Sequence, residues 1–361
     1  MSRARGIAVM LAVLACGLVI AGVLLRPAWA VHALRSGPAT PNGPPAGGQP
    51  GAGSTPGAGS TPGAGGTSTG RPSWQWRVGG PELASRGIVV HYPASGRRLL
   101  PRVRASAYVI VDAGTGQVLA AKDPHGEFPP ASTLKVLTAV TFIPLLKPAA
   151  MVVASRRATS VQPNVVGLKR GRSYQVSSLF KALLLISAND AAVSLAEASG
   201  SFHRAIALMN AEAHWLQAYD VLAKDPNGLP AAHQHVSAYD EALIARQALA
   251  MPAFMKYDST LAARFHLKRR KWVTLVNQNS LLMQYRGGIG GKIGWTDRAR
   301  ATYIGMARRH GVTLIVTILH ARPLTEIISG ERLLNWGFAM NHKVRPVGRL
   351  VPPLPGGPPA H

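Results

Sequence analysis

Three short polar motifs occur in a fixed order inside one long segment whose apolar residues follow helix and strand periodicities. They are Ser132-Thr-Leu-Lys135, Ser187-Ala-Asn189 and Lys292-Ile-Gly294. A serine, two amines and a carboxamide are the groups needed for acyl transfer through a covalent intermediate. Each motif is short enough to recur by chance, as at Ser178-Leu-Phe-Lys181 and Lys169-Arg-Gly171. The prediction of an acyl-transfer site therefore depends on the order, spacing and sequence surroundings of the motifs.

The first motif lies where a helix is predicted to begin. Residues 107–121 predict two strands around a glycine turn, and Pro129-Pro130 then precede an apolar run that starts near Ser132. Ser132 and Lys135 are three positions apart, so they share one face of the helix. The helix N-terminus favours an alkoxide and a neutral lysine, and a second lysine nearby would lower the pKa of Lys135 further. The alternative is an ordinary helix-start serine followed by a solvated lysine.

The second motif interrupts a strongly apolar helical pattern over residues 176–199. Small and polar residues at 187–190 predict a helix that ends, turns and restarts, with short polar groups directed into a cleft. In the alternative interpretation, Asn189 or Asp190 only caps the second helix.

The third motif belongs to a glycine-rich stretch that leads into a strand, followed by a turn at Arg309-His310-Gly311 and a second strand. The pair predicts an antiparallel hairpin. Glycines around Lys292 would let an extended peptide pair with this strand if it lies at a sheet edge. The alternative is an ordinary edge hairpin with a solvent-exposed lysine.

The chain has 361 residues, and its composition divides it into four regions. Residues 1–30 predict a signal peptide or N-terminal membrane anchor, because arginines precede a 6–25 apolar run and an Ala28-Trp-Ala30 cleavage pattern. Residues 31–83 are a Gly/Pro/Ser/Thr-rich linker, 84–342 the catalytic region, and 343–361 a basic, proline-rich tail predicted to be disordered. The sole cysteine, Cys16, excludes disulfides and thiol chemistry from the catalytic region.

The formal net charge is +25. This charge indicates attraction to anionic lipids or anionic wall polymers, although solvated basic faces explain it equally well. The export signal and the lack of an aromatic–basic motif argue against nucleic-acid binding. The histidines show no metal-ligand spacing, and His233-Gln-His235 is interpreted as a loop, so no metal or cofactor is predicted.

Taken together, the motifs resemble those of the penicillin-recognising serine acyltransferases, and most closely the low-molecular-mass D-alanyl-D-alanine carboxypeptidases. The resemblance runs from about residue 104 to 340 and includes the sequence blocks around each motif. Ser132 precedes Ser187 by 55 positions, as in that family, whereas Ser178 lies on the same predicted helix as Ser187. The resemblance implies an α/β fold of the α+β type: an antiparallel sheet flanked by helices, with a helical lobe inserted at roughly 133–250.

The resemblance also implies roles for single residues. Ser132 resembles the nucleophile, Lys135 its base, Ser187 the hydroxyl that passes a proton to the leaving amine, and Asn189 the carboxamide that holds the substrate amide. The backbone N–H groups of Ser132 and Trp295 would form the oxyanion hole. Substrate binding falls to the third-motif strand and to one arginine beyond it, namely Lys292, Gly294, Trp295 and Arg322.

The sequence departs from the family pattern at two positions. Ile293 replaces the usual threonine between lysine and glycine, whose hydroxyl helps bind the substrate's terminal carboxylate, and Gln278 stands where many relatives carry an arginine. Glu331-Arg-Leu-Leu-Asn335 matches a β-lactamase motif in its letters, but it follows Lys292 and is interpreted as a coincidence.

The implied function is a serine-type D-alanyl-D-alanine carboxypeptidase that acts on peptidoglycan stem peptides outside the cytoplasm and is inhibited by β-lactams. Two alternatives remain: a weakly active β-lactam- or wall-binding homologue, and a DD-transpeptidase.

Overall fold

A computed structural model describes residues 78–94 and 98–357. The strands are β1 Ile88–Val89, β2 Ala107–Asp112, β3 Gln117–Lys122, β4 Met151–Val153, β5 Ser173–Gln175, β6 Ala262–Lys268, β7 Lys271–Val276, β8 Gly288–Thr296, β9 Arg300–Arg309, β10 Val312–Ala321 and β11 Gly348–Arg349. The α-helices are α1 Lys135–Phe142, α2 Arg156–Thr159, α3 Val176–Leu185, α4 Asn189–Ala198, α5 Phe202–Trp215, α6 Ala238–Ala250, α7 Pro252–Asp258, α8 Leu281–Gln284 and α9 Glu326–Met340. Short 3-10 helices span Pro81–Ala84 and Ala131–Leu134, and we call the second the nucleophile turn.

One antiparallel sheet organises the fold, with strand order β1-β3-β2-β10-β9-β8 and β11 also paired to β3. The predicted turn at Arg309–Gly311 joins β9 to β10. The predicted single strand before that turn is in fact two strands, β8 and β9. The chain turns between them, where the Ala299 N–H donates to Thr296 Oγ1 at 3.0 Å. Strand β8 is the last in this order, so the predicted edge position of the third motif is confirmed.

The sheet has a hydrophobic layer on each face because its central strands alternate between the two sides. In β2, Val109 and Val111 belong to the cluster that packs against the helical lobe, whereas Tyr108 and Ile110 belong to the cluster that packs against α9. Every residue of β2 is buried. This arrangement places α9 on one face of the sheet and the catalytic motifs on the other.

The helical lobe lies between β3 and β8 in the chain, as predicted. It contains α1 to α7 and two small two-stranded sheets, β4–β5 and β6–β7. The lobe extends past the predicted end at residue 250, through α7 and the β6–β7 hairpin. The predicted fold class, an antiparallel sheet flanked by helices with an inserted helical lobe, is confirmed.

The folded region extends beyond the boundaries predicted for the catalytic region, residues 84 and 342. Leu83, Val347 and Leu350 are buried, and β11 forms hydrogen bonds with β3. The prediction of disorder from 343 is therefore wrong for residues 343–357, because apolar side chains between the prolines and basic residues complete the core beside β3. Residues 1–77, which hold the predicted leader and most of the linker, lie outside the described residues, as do 358–361. Among the described helices, none is long and apolar enough to cross a membrane.

Candidate active site

The nucleophile turn brings the first motif together at the start of α1. Ser132 lies in the turn and Lys135 is the first residue of α1. The distance between Lys135 Nζ and Ser132 Oγ is 2.8 Å. The predicted shared face is confirmed, although a 3-10 turn rather than an α-helix carries the serine. Ala131, just before Ser132, has φ +48°, an uncommon backbone conformation for a residue with a side chain.

Lys135 has the environment of a neutral amine. Its side chain is fully buried, and Nζ also contacts Asn189 Oδ1 at 2.7 Å and the Asn227 carbonyl oxygen at 2.8 Å. Burial lowers the pKa of Lys135 well below its ordinary value, and the nearby positive charge of Lys292 lowers it further. Asn189 Oδ1 and the Asn227 carbonyl oxygen can only accept hydrogen bonds. A neutral amine therefore donates its two protons to them and directs its lone pair at the Ser132 hydroxyl. The alternative of a solvated lysine is wrong.

Sequence reasoning missed Asn227, whose carbonyl oxygen takes one of these protons. It lies in a loop where Asp225 Oδ1 accepts hydrogen bonds from the N–H groups of Asn227, at 2.7 Å, and Gly228, at 2.6 Å. A Cβ on Gly228 would lie 1.6 Å from the Ala131 carbonyl oxygen, and its φ is +80°. Only glycine fits there. The Asp-Pro-Asn-Gly run was a turn signal that could have pointed to this loop.

The second motif is a break between α3 and α4, as predicted. Ser187 lies in the break with φ +60°, and Asn189 begins α4. Ser187 Oγ is buried and has no hydrogen-bond partner among the described residues, so its hydroxyl is available to a ligand. The Asn189 side-chain N–H donates to the Gln162 carbonyl oxygen at 2.9 Å, which directs Oδ1 at Lys135.

Neither Asn189 nor Asp190 is the N-cap residue of α4, because that position is Ala188, although Asp190 Oδ1 also accepts the Ala191 N–H in the first turn at 3.0 Å. The Asp190 carboxylate instead accepts the backbone N–H groups of three residues in the segment that crosses over the motif, at 2.8–3.0 Å: Val166, Gly167 and Leu168. The interpretation of these residues as simple helix caps is therefore wrong. Asp190 holds the segment 166–168 by hydrogen bonds, while Asn189 contacts Lys135.

The third motif places a second buried lysine on the edge strand. Lys292 is 2% exposed, so the alternative of a solvent-exposed lysine is wrong. Burial lowers the pKa of Lys292 to about 7, and the negative charge of Asp258 opposes this shift. Burial raises the pKa of Asp258 to about 7, and its Oδ2 accepts the Gly291 N–H at 2.6 Å. Asp258, at the end of α7, was not detected in the sequence because it belongs to no motif.

Gly294 brings β8 against the nucleophile turn. A Cβ at this position would lie 2.7 Å from the Ser132 backbone nitrogen and 2.4 Å from Thr302 Oγ1. The backbone N–H of Ser132 therefore borders the strand that carries Trp295, the next residue. This closeness is compatible with an oxyanion hole formed by these two N–H groups, which remains a prediction.

The other predicted binding residue, Arg322, is exposed and directly follows β10. The sheet register pairs Ala321 with Ala301, and Ala301 with Trp295, so Arg322 lies at the end of the sheet where β8 ends. Its contact with substrate stays a prediction. Ile293 packs, with Trp295, against the hydrophobic cluster beneath α9.

A histidine and two aspartates lie close together at His125, Asp220 and Asp240, within the distances of a metal-binding group. The sequence did not reveal them because they are far apart in the chain. His125 Nδ1 is 2.8 Å from Asp220 Oδ2 and its Nε2 is 3.1 Å from the Val78 carbonyl oxygen. Asp240 Oδ2 accepts the Asp220 N–H at 2.6 Å. These bonds account for the group as a hydrogen-bond network that joins Val78 and Asp220 to the first turn of α6.

The family model of D-alanyl-D-alanine carboxypeptidases matches residues 95–323, a range that includes all three motifs. The chain is 38% identical over 248 residues to D-alanyl-D-alanine carboxypeptidase DacB2 of Mycobacterium tuberculosis, covering 67% of this chain and 85% of that protein. It is 29% identical to D-alanyl-D-alanine carboxypeptidase DacF of Bacillus subtilis, covering 65% of this chain and 62% of that one.

Solved structures of DD-peptidases also resemble this chain. The crystal structure of a D-alanyl-D-alanine carboxypeptidase from Mycobacterium tuberculosis superposes with a TM-score of 0.68 at 36% identity, covering 72% of this chain and 99% of that chain. The Streptomyces K15 DD-transpeptidase superposes with a TM-score of 0.64 at 25% identity, covering 67% of this chain and 100% of that chain.

Proposed function

The chain belongs to the D-alanyl-D-alanine carboxypeptidase family, and from this premise we propose that it removes the terminal D-alanine of peptidoglycan stem peptides through an acyl-enzyme on Ser132. The observation that carries the proposal is the 2.8 Å contact between Ser132 Oγ and the buried Lys135 amine. An unassisted serine hydroxyl is a weak nucleophile, and an adjacent neutral base activates it. The environment of Lys135 supplies that base.

Acylation begins when the Ser132 proton moves to Lys135 Nζ and Oγ attacks the carbonyl carbon of the penultimate D-alanine. The backbone N–H groups of Ser132 and Trp295 stabilise the oxyanion. The C–N bond then breaks, and the proton held by Lys135 passes through the Ser187 hydroxyl to the leaving D-alanine amine. Water then attacks the ester: Lys135 accepts a proton from the water and returns it to Ser132 Oγ as the ester bond breaks. Asn189 holds the substrate amide and fixes the orientation of Lys135.

The terminal carboxylate of the substrate binds at the β8 side of the cleft. Lys292 supplies positive charge there, and Arg322 supplies a second charge from the end of the sheet. A bound carboxylate raises the pKa of Lys292 and keeps it protonated. β-Lactams imitate this D-Ala-D-Ala terminus and acylate Ser132 as inhibitors.

A transpeptidase is the second candidate, favoured by the similarity to the Streptomyces K15 DD-transpeptidase. The acylation step is the same in both reactions, because the two activities differ only in whether water or an amine attacks the acyl-enzyme. A third candidate is a weakly active penicillin- or wall-binding homologue in which Ile293 impairs turnover.

The enzyme acts outside the cytoplasm, at the cell wall. Its N-terminal 1–30 segment serves as an export signal or membrane anchor, and its net charge of +25 favours anionic lipids or wall polymers.

The test is mass spectrometry of a peptide ending in D-Ala-D-Ala after incubation with the full chain. A carboxypeptidase releases one D-alanine in wild type and none in Ser132→Ala. Added glycine separates the candidates: a transpeptidase product gains glycine in place of D-alanine, whereas a carboxypeptidase product does not. Acylation by a labelled β-lactam without D-alanine release or exchange would favour the weakly active homologue. Absence of acylation as well would overturn the proposal.

A further inference from the structure

A buried glutamate lies beneath the nucleophile turn and has no part in the mechanism above. Glu241, in the first turn of α6, is 2% exposed. Its Oε1 contacts the hydroxyl of Thr133, the residue after Ser132. Its Oε2 is buried and has no hydrogen-bond partner in the described part of the chain. An ionised Glu241 would be a buried charge that water does not solvate, which is energetically unfavourable. Its protonation state therefore has to be derived from its surroundings.

Counting protons in the surrounding hydrogen bonds answers that question. The Pro130 carbonyl oxygen is 2.8 Å from Thr302 Oγ1 and 2.6 Å from Thr133 Oγ1. A carbonyl oxygen only accepts, so each threonine spends its single hydroxyl proton on Pro130. Thr133 then has no proton left for Glu241. Their contact is attractive only if Glu241 is the donor, as a neutral carboxylic acid.

The electrostatic environment favours the same protonation state. Burial raises the pKa of Glu241 from 4.5 to about 8. Near neutral pH the protonated form therefore predominates.

The hydrogen bonds that end at Glu241 fix the peptide that precedes the nucleophile. The two bonds to the Pro130 carbonyl orient the Pro130–Ala131 peptide plane, next to the positive φ of Ala131. Through the torsions of Ala131, that plane sets the direction of the next peptide plane, which contains the Ser132 N–H, and this N–H borders Gly294 on β8. Thr302 lies directly opposite Gly294 in the β8–β9 register. The position of Ser132 relative to the edge strand thus depends on both threonine hydroxyls pointing at Pro130.

We propose that Glu241 is a positioning residue held as a neutral carboxylic acid: its O–H donates to Thr133, which directs the Thr133 hydroxyl to the Pro130 carbonyl and so holds Ser132 in its attacking orientation. This inference rests on the proposed function insofar as it assigns Ser132 as the nucleophile. Glu241 touches neither substrate nor reacting atoms and acts only through the turn.

The first experiment measures the rate constant for acylation by a labelled β-lactam. Glu241→Leu removes the donor while keeping an apolar side chain of similar size, and we expect acylation to slow about tenfold or more, the effect of one lost hydrogen bond. Glu241→Gln keeps a neutral N–H donor and should remain within about threefold of wild type. Glu212→Leu is the matched control, since Glu212 on α5 is also buried, with its pKa raised by burial to about 7, and should leave the rate unaffected.

A merely structural role predicts a different result. Glu241→Leu leaves the Thr133 hydroxyl without its buried partner, which lowers the free energy of unfolding by about 1–3 kcal/mol. Acylation is therefore compared well below both melting temperatures, where a merely structural role leaves the rate of the folded protein unchanged and a positioning role slows it. Wild-type acylation in Glu241→Leu, or equal losses in Glu241→Leu and Glu241→Gln, would overturn the proposal. If Glu241→Leu does not fold, Thr133→Val against Thr133→Ser gives the same comparison, and only valine should slow acylation.

A second measurement is independent of the proposed activity. The infrared difference spectrum between wild type and Glu241→Gln at pH 6 should contain the C=O band of a protonated carboxylic acid. A carboxylate band instead would overturn the neutral acid even if acylation behaves as expected. If the wild-type protein is not acylated at all, the proposed function fails, while this measurement still decides the state of Glu241.

Discussion

Lys135 and Lys292 share one buried cleft: burial lowers the pKa of Lys135 most, and the positive charge of Lys292 lowers it further. Lys135 comes from the start of α1 and Lys292 from the edge strand β8. Asp258 stands behind Lys292 and favours its charged form. Two amines in one cleft are thereby set to different protonation states, which suits one to act as a base and the other to bind an anion.

Ser132 is the predicted covalent site. Intact-mass analysis after exposure to penicillin should show one adduct on wild type, and peptide mapping should place it on Ser132. Ser132→Ala should give none, because Lys135 has no other hydroxyl at hydrogen-bond distance among the described residues. Ser178→Ala is the matched control for the second S-x-x-K sequence and should still be labelled. An adduct that persists in Ser132→Ala contradicts the assignment.

The two lysines should respond differently to arginine. Lys135→Arg should abolish acylation, because a guanidinium keeps its proton and cannot accept one from Ser132. Lys292→Arg keeps the positive charge and should retain measurable acylation, weakened by the larger side chain in a buried position. Stopped-flow acylation with a chromogenic β-lactam measures both variants. Equal losses would argue against separate roles.

The pH dependence of kcat/KM should be bell-shaped. On the acid side, activity falls as pH drops because Lys135 becomes protonated and ceases to be a base. On the alkaline side, activity falls as pH rises through about 7, since Lys292 loses the charge that binds the substrate carboxylate. Lys292→Arg should remove the alkaline limb, because arginine stays charged. An alkaline limb that persists unchanged in Lys292→Arg would assign it to another group.

Gly294→Ala should disable the nucleophile turn. The added Cβ would lie 2.7 Å from the Ser132 nitrogen and 2.4 Å from Thr302 Oγ1, so either β8 or the turn must move. Overpacking of this kind costs roughly 1–3 kcal/mol, and we expect acylation to fall about a hundredfold. Gly87→Ala is the control, since its Cβ would meet only Ser85 Oγ at 3.5 Å. Acylation at the wild-type rate in Gly294→Ala would show that the turn does not depend on this contact.

Ile293→Thr tests whether a hydroxyl at this position binds the substrate carboxylate. Ile293 packs against the hydrophobic cluster beneath α9, on the face of β8 opposite Lys292, so we expect the added hydroxyl to stay outside the cleft and kcat/KM on D-Ala-D-Ala peptides to match that of Ile293→Val within about threefold. Ile293→Val is the matched control because valine has nearly the shape of threonine without the hydroxyl. A kcat/KM about ten- to hundredfold higher for threonine, the effect of about 1.5–3 kcal/mol from a hydrogen bond to a charged acceptor, would show instead that the hydroxyl reaches the carboxylate. In the expected case, Thr296 or Arg298 are the next candidates for binding the carboxylate.

The sequence by itself determined the three motifs, their order and the local elements that carry them. The i, i+3 spacing of Ser132 and Lys135, the broken helix at Ser187 and the turn at His310 follow from local rules, because helix and turn geometry depend on neighbouring residues. The apolar run at the start of residues 107–121, followed by a glycine turn, likewise predicted a strand.

Only the tertiary structure decided the chemical state of the site. The pKa of Lys135 depends on burial and on Lys292, which is far away in sequence. Asn227, Asp258 and Glu241 contribute a carbonyl oxygen, a charge and a buried acid from segments that belong to none of the motifs. The residues after 342 looked disordered by composition, yet β11 pairs with β3, because hydrogen bonding and burial at a sheet edge depend on a partner that local composition does not reveal.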